Sequence, residues 1–253
     1  MASTQQGGVD GRPPLSPAVP EGTRVYAVGD IHGRADLLHQ IQDLIKADAA
    51  SAPEARKLVV YLGDYVDRGP HSNQVVEHLI ARPMAGFEAV HLKGNHEDFL
   101  IRFVADGAMS AAWMMNGGRA TLVSYDVSAL NLYFGERGHK WAQKRLARAI
   151  PQTHLDFYRG LAPTHVEGDY LFVHAGLRPG VALDEQTEGD MIWIRDAFLN
   201  DQTGFEKVVV HGHSIQNEPD VHAHRIGIDT GAYRSGRLTC LVLEGLTRRF
   251  LHT

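Results

Sequence analysis

Five short blocks concentrate carboxylates, imidazoles and one amide beside glycines: GDIHG at 29–33, GDYVDRG at 63–69, GNHE at 94–97, HAG at 174–176 and HGHS at 211–214. Carboxylate, amide oxygen and imidazole suit divalent cations such as manganese, iron and zinc, and no thiolate is among them. Glycines beside each ligand let the backbone turn sharply and approach a bound group closely. Any one block alone reads as an ordinary turn or a hydrogen-bonded histidine. Five of them, each following a predicted strand, make coincidence a poor account.

The elements that must position these blocks follow from hydrophobic periodicity. A short apolar strand at 24–28 ends at Gly29-Asp30, and Leu37, Leu38, Ile41, Leu44 and Ile45 then recur at helical spacing. The unit repeats at 57–62 with Val75, Val76, Leu79 and Ile80, and again at 88–92 with Phe99, Leu100, Phe103 and Val104. Strands alternating with helices predict right-handed crossovers and a largely parallel sheet whose loops open on one edge. From about 107 to 165 the strand signal gives way to helices, which reads as an inserted helical cap. Strands resume at 170–173, 208–210, 222–228 and 237–243, and the last two read as an antiparallel pair.

With 253 residues, 43% hydrophobic and 22% charged, the chain can bury a sizeable core, and one domain over 23–253 is expected. Residues 1–22, rich in Gly, Pro, Ser and Gln, read as a flexible tail. A net charge of −5 argues against a nucleic-acid partner. No stretch reaches the ~18 apolar residues of a membrane span, so no membrane partner is expected. The single Cys240 requires no oxidising compartment and sits in an apolar strand, which points to the cytoplasm and to a small core side chain.

GDIHG, GDYVDRG and GNHE together make the chain resemble the phosphoprotein phosphatase (PPP) family of calcineurin-like metallophosphoesterases, over residues 24 to 245. Its compact length and the stretch WMMNGGRATLVSYDV at 113–127 are similar to the bacterial and lambda-phosphatase branch. The resemblance implies an α/β fold of two mixed β-sheets packed as a sandwich, flanked by helices and carrying the cap. It implies two divalent metal ions, with manganese expected and iron or zinc as alternatives. Asp30 and His32 would hold the first, Asn95, His174 and His213 the second, and Asp64 would bridge them. His96, oriented by Asp67, would protonate the leaving group, while Arg68 and Arg195 would clamp phosphoryl oxygens. Arg195, in the short WIRD segment, could instead simply pack beside Trp193.

Spacing alone leaves His211 and His213 both able to face the metals; the resemblance favours His213. It also places Tyr233 or Arg234 along the substrate cleft. His91, His139, His154, His165, His222 and His224 carry no assigned role. The activity implied is phosphomonoester hydrolysis by in-line attack of a dimetal-bound hydroxide. Its expected partner is a phosphorylated protein or peptide bearing phosphoserine, phosphothreonine or phosphotyrosine. The alternative is a diadenosine polyphosphate hydrolase; a reading of another class is a non-catalytic phospho-binding scaffold. Arg137, Lys140, Lys144, Arg145 and Arg148 could favour anionic substrates, though such a run is usually a solvated helix face.

Overall fold

The computed structural model describes residues 16–128 and 135–253. Three strand–helix units open the chain: Thr23–Val28 (β1) with Ala35–Ala49 (α1), Arg56–Tyr61 (β2) with Ser72–Ala81 (α2), and Glu88–His91 (β3) with Asn95–Asp106 (α3). Helices Ser110–Met115 (α4), Gly118–Ser124 (α5), Gly135–Ala149 (α6) and Gln152–Arg159 (α7) follow. Next come Thr164–Glu167 (β4), Tyr170–Val173 (β5), Glu188–Trp193 (α8), Asp196–Leu199 (α9) and Val208–His211 (β6). Asp220–Val221 (β7), Arg225–Gly227 (β8), Ala232–Ser235 (α10), Thr239–Glu244 (β9) and Thr247–His252 (β10) complete the chain.

The strands form two mixed five-stranded sheets, ordered β10-β9-β1-β2-β3 and β4-β5-β6-β8-β7. Alternation along each strand explains why they stack. Val25, Ala27, Leu58 and Val60 of the first sheet meet Tyr170, Phe172, Val208 and Val210 of the second in one core. Tyr26, Val28, Val59 and Tyr61 point the other way, beneath α1, α2 and α3. Leu171, Val173 and Val209 do likewise under Met191, Ile192 and Phe198.

The helices of the expected cap pack directly on the domain. Trp113, Leu122, Ala142, Leu146 and Tyr158 share one core with α1–α3, so these helices form the outer layer of the first sheet. The expected antiparallel pairing of 222–228 with 237–243 is corrected. β8 runs parallel to β6 in the second sheet, whereas β9 pairs with β1 and β10 in the first. Residues 228–238 cross between the sheets instead of turning back. The true hairpin joins β9 to β10 through Gly245 and Leu246, with Gly245 at φ 53° supplying the left-handed turn.

Of the expected tail over 1–22, residues 1–15 lie outside the described residues, and residues 17–19 pack on the domain. Val19 is buried between the sheets. Its N–H donates to the Gly245 carbonyl at 3.2 Å, and Ala18 N–H donates to Asp169 Oδ2 at 2.9 Å.

Candidate active site

All five ligand blocks lie at the C-terminal ends of parallel strands, three from one sheet and two from the other. Backbone hydrogen bonds lock the loops together. The Ile31 and His32 N–H groups donate to the Asp64 carbonyl at 3.1 and 2.8 Å, and Gly212 N–H donates to the His174 carbonyl at 2.8 Å. Asp30, His32, Asp64, Asn95, His174 and His213 are each no more than 5% exposed.

Ring nitrogens that face a backbone carbonyl must carry the proton, which fixes two tautomers. His174 Nδ1 donates to the Leu62 carbonyl at 2.8 Å, and His32 Nδ1 to that of Val66 at 2.8 Å. Each Nε2 then offers a lone pair. His174 Nε2 lies 3.0 Å from Asn95 Oδ1 and 3.3 Å from Asp64 Oδ1, three electron-pair donors converging with no proton between them. His32 Nε2 lies 3.4 Å from Asp64 Oδ2. Asp64 alone belongs to both candidate metal groups among the described residues, one with His32 and His96, the other with His174 and His213. Buried His213 Nε2 and Asp30 Oδ1 also have no partner. Only a cation satisfies such a set, so these residues fit two divalent ions.

Electrostatics agree. Burial holds the imidazoles of His32, His174 and His213 below the ordinary histidine value, His213 at about 2, leaving them neutral as ligation requires. Burial opposes the Asp64 charge, yet the positive charge that protonated His174, His96 and His32 would carry outweighs it and holds the carboxyl below the usual range. Asp30 is outside those two groups, yet its buried, unpartnered Oδ1 stands beside them, next to the Gly212-His213 turn. Its Oδ2 accepts the His213 N–H at 3.0 Å, and its carboxyl stands within reach of Asp229. Burial, then the Asp229 and Asp64 charges, push the Asp30 carboxyl upward.

His96 differs from the ligands. Its Nδ1 donates to Asp67 Oδ2 at 2.6 Å, while its Nε2 lies 3.8 Å from Asp64 Oδ2. Burial pulls its pKa down, but the Asp64 charge and the Asp67 hydrogen bond outweigh that and raise it. With Nδ1 engaged by Asp67, the ring presents only Nε2 to the donor cluster. Asp67 is itself held by Trp113 Nε1 at 2.8 Å and Thr121 Oγ1 at 2.5 Å.

A family model for calcineurin-like phosphoesterases matches residues 23–236. The chain belongs to that family. Members use two divalent metals, in keeping with the paired donor groups. Among curated relatives, bis(5'-nucleosyl)-tetraphosphatase PrpE from Bacillus thuringiensis (strain Al Hakam) is 26% identical over 235 residues, spanning 85% of this chain and 88% of its own. A solved structure described as a candidate diadenosine tetraphosphatase superposes with a TM-score of 0.59 at 23% identity, covering 94% of this chain and 98% of its own. A cold-active protein tyrosine phosphatase does so at 0.53 and 17%, covering 95% and 81%.

The phosphoesterase concentrates backbone strain in its ligand loops. Seven non-glycine residues among those described have positive φ, and five are His32 (45°), Asp64 (50°), Asp67 (71°), Arg68 (67°) and His213 (61°). Each such conformation costs on the order of 1–3 kcal/mol and persists because its surroundings enforce it. The turn at His213 also bears on the choice between the two histidines. β6 ends at His211, whose ring stays on the sheet's outer side, 5.0 Å from that of Phe198, while the chain swings His213 towards His174.

One of the two expected arginines contacts the phosphoesterase site directly. Arg68 Nη1 donates to His32 Nε2 at 3.0 Å, placing a positive charge where a cation or phosphoryl group would sit, and its guanidinium covers the Tyr233 ring at 4.9 Å. Tyr233 meets His32 edge-on at 5.4 Å, so it lines the cleft as expected, while Arg234 is exposed. Arg195 is exposed. Burial is the main reason His174 and His213 are depressed, with the Arg195 charge a lesser one.

Four residues of the site were missed from sequence. Glu97 accepts N–H groups from Gly94, Asp64, Tyr65 and Val66 at 2.8–3.3 Å and so ties two ligand loops together. Its place in GNHE was the available signal. Trp113 and Thr121 lie in a stretch read only as a branch marker. Buried Asp229 follows β8 in a segment read only for Tyr233 and Arg234, and burial pushes its carboxyl up to about 6.

Proposed function

We propose that this phosphoesterase cleaves dinucleoside polyphosphates asymmetrically, releasing a nucleoside monophosphate and a nucleoside triphosphate from a tetraphosphate. One observation carries the reading. Its similarity to PrpE runs through 85% of the chain, helical layer included, and not through the metal blocks alone. Bound divalent ions would supply charge neutralisation at the phosphate and acidify water. Asp64, Asn95, His32, His174 and His213 would hold them, with Asp30 completing the set.

The chain's own groups then divide the work. Arg68 and Arg195 bind non-bridging phosphoryl oxygens and orient the phosphorus for in-line attack. Water oxygen adds to phosphorus as the bridging P–O bond breaks. His96 Nε2 gives its proton to the departing oxygen, while Asp67 keeps the ring aligned through Nδ1. Both roles use groups that a non-catalytic scaffold would not need.

The His96–Asp67 pair favours a second reading, hydrolysis of phosphoserine or phosphothreonine in proteins. Alkoxides are poor leaving groups and gain most from an acid, whereas a nucleoside triphosphate departs readily without one. Metal-free protein reloaded with manganese, iron or zinc tests both. Equal amounts of AMP and ATP from diadenosine tetraphosphate, at a kcat/KM above that for a phosphoserine peptide, are expected. Two ADP molecules, or faster turnover of the peptide, would overturn the first reading.

A further inference from the structure

Resting on that reading of function, we propose that Trp193 is the platform on which one nucleobase of the substrate stacks. Large apolar side chains left exposed in the described residues include a single aromatic, Trp193, at 39%. It sits at the metal site, its ring centroid 6.1 Å from that of His213. Phe99 braces it edge-on at 5.0 Å, and Phe99 in turn lies 6.2 Å from His96, so the indole is anchored from the catalytic side. Arg195, two residues further on, is exposed.

Tyr233, the aromatic beside His32, is already engaged by Arg68 on its face and meets His32 at nearly a right angle. Trp193 is the more exposed of the two rings, and the exposed Arg195, a cation suited to polyphosphate, follows it two residues later in the chain. Every nucleobase has a π face, so this platform selects nucleotides over bare phosphate chains without choosing among bases.

The test compares wild type, Trp193→Ala and Trp193→Phe, each loaded with the same metal. It measures KM for diadenosine tetraphosphate and the inhibition constant of inorganic tripolyphosphate, which carries the charge but no base. Trp193→Ala should raise the dinucleotide KM roughly ten- to hundredfold relative to the tripolyphosphate constant, and Trp193→Phe should restore most of the loss. If both constants move together, or neither moves, the assignment is overturned. Wild type that turns over para-nitrophenyl phosphate but leaves the dinucleotide intact sinks the reading of function, and this assignment with it.

Discussion

Thr121→Val removes one hydroxyl from a fully buried position while keeping the side chain's size. That hydroxyl donates to Asp67 Oδ1 at 2.5 Å and accepts the Asp67 N–H at 2.9 Å; the N–H retains Ser72 Oγ at 3.0 Å. The carboxylate oxygen has no substitute donor. Losing a hydrogen bond to such a group costs roughly 1.5–3 kcal/mol. For a chain of this size that lowers the melting temperature by about 3–12 °C at about 2–4 °C per kcal/mol. Asp67 would then hold His96 only through Oδ2, and loosening a supporting contact of this kind costs about 10- to 100-fold in activity. The loss should be larger on a phosphoserine peptide than on para-nitrophenyl phosphate, whose leaving group needs little acid. Thermal unfolding and steady-state kinetics on both substrates are the assays, with Thr121→Ser as the control that restores the hydroxyl. A Thr121→Val protein melting with wild type, or a Thr121→Ser protein melting as low as Thr121→Val, would refute the reasoning.

His96→Asn should lower kcat on a phosphoserine peptide by ~10²- to 10⁴-fold and on para-nitrophenyl phosphate by much less, checked by parallel kinetics. Metal analysis should find one ion fewer per chain in His213→Ala, while His211→Ala keeps both and loses only thermal stability. A methyl at Gly94 would fall onto Asp64 Oδ1 and the Asp64 nitrogen, so Gly94→Ala should lose metal and activity together. Burial lowers the His91 pKa to about 4. As pH falls through about 6.5 the unfolded chain therefore takes up the proton first, and stability is lost until the folded chain also protonates near 4. That window is worth about 3 kcal/mol at 1.36 kcal/mol per pKa unit. Denaturant melts of His91→Phe across it should show a shallower loss than wild type.

The ligand loops were legible because each ligand sits beside a glycine immediately after an apolar run, a local pattern. Sheet membership was not, since β8 and β9 are separated by a crossing whose turns at Gly231 and Gly236 resemble a hairpin linker in composition. Residues 211 and 213 share a face only while a strand continues, and sequence does not reveal that β6 stops at His211. Thr121 and Trp113 lie 54 and 46 positions from Asp67, too far for spacing to pair them. Val19 went unread because a lone valine among prolines carries no periodicity.

The two sheets are fastened at opposite rims by unlike means. At one rim the fasteners are side chains that repel each other until something positive lies between them. At the other, the stretch around Ala18 and Val19 bridges the β4–β5 turn and the β9–β10 turn by amide contacts that need no ligand. Chelation should therefore let the sandwich breathe at its mouth while its base stays shut, so amide hydrogens near Asp64 and His174 should exchange faster than those near Gly245.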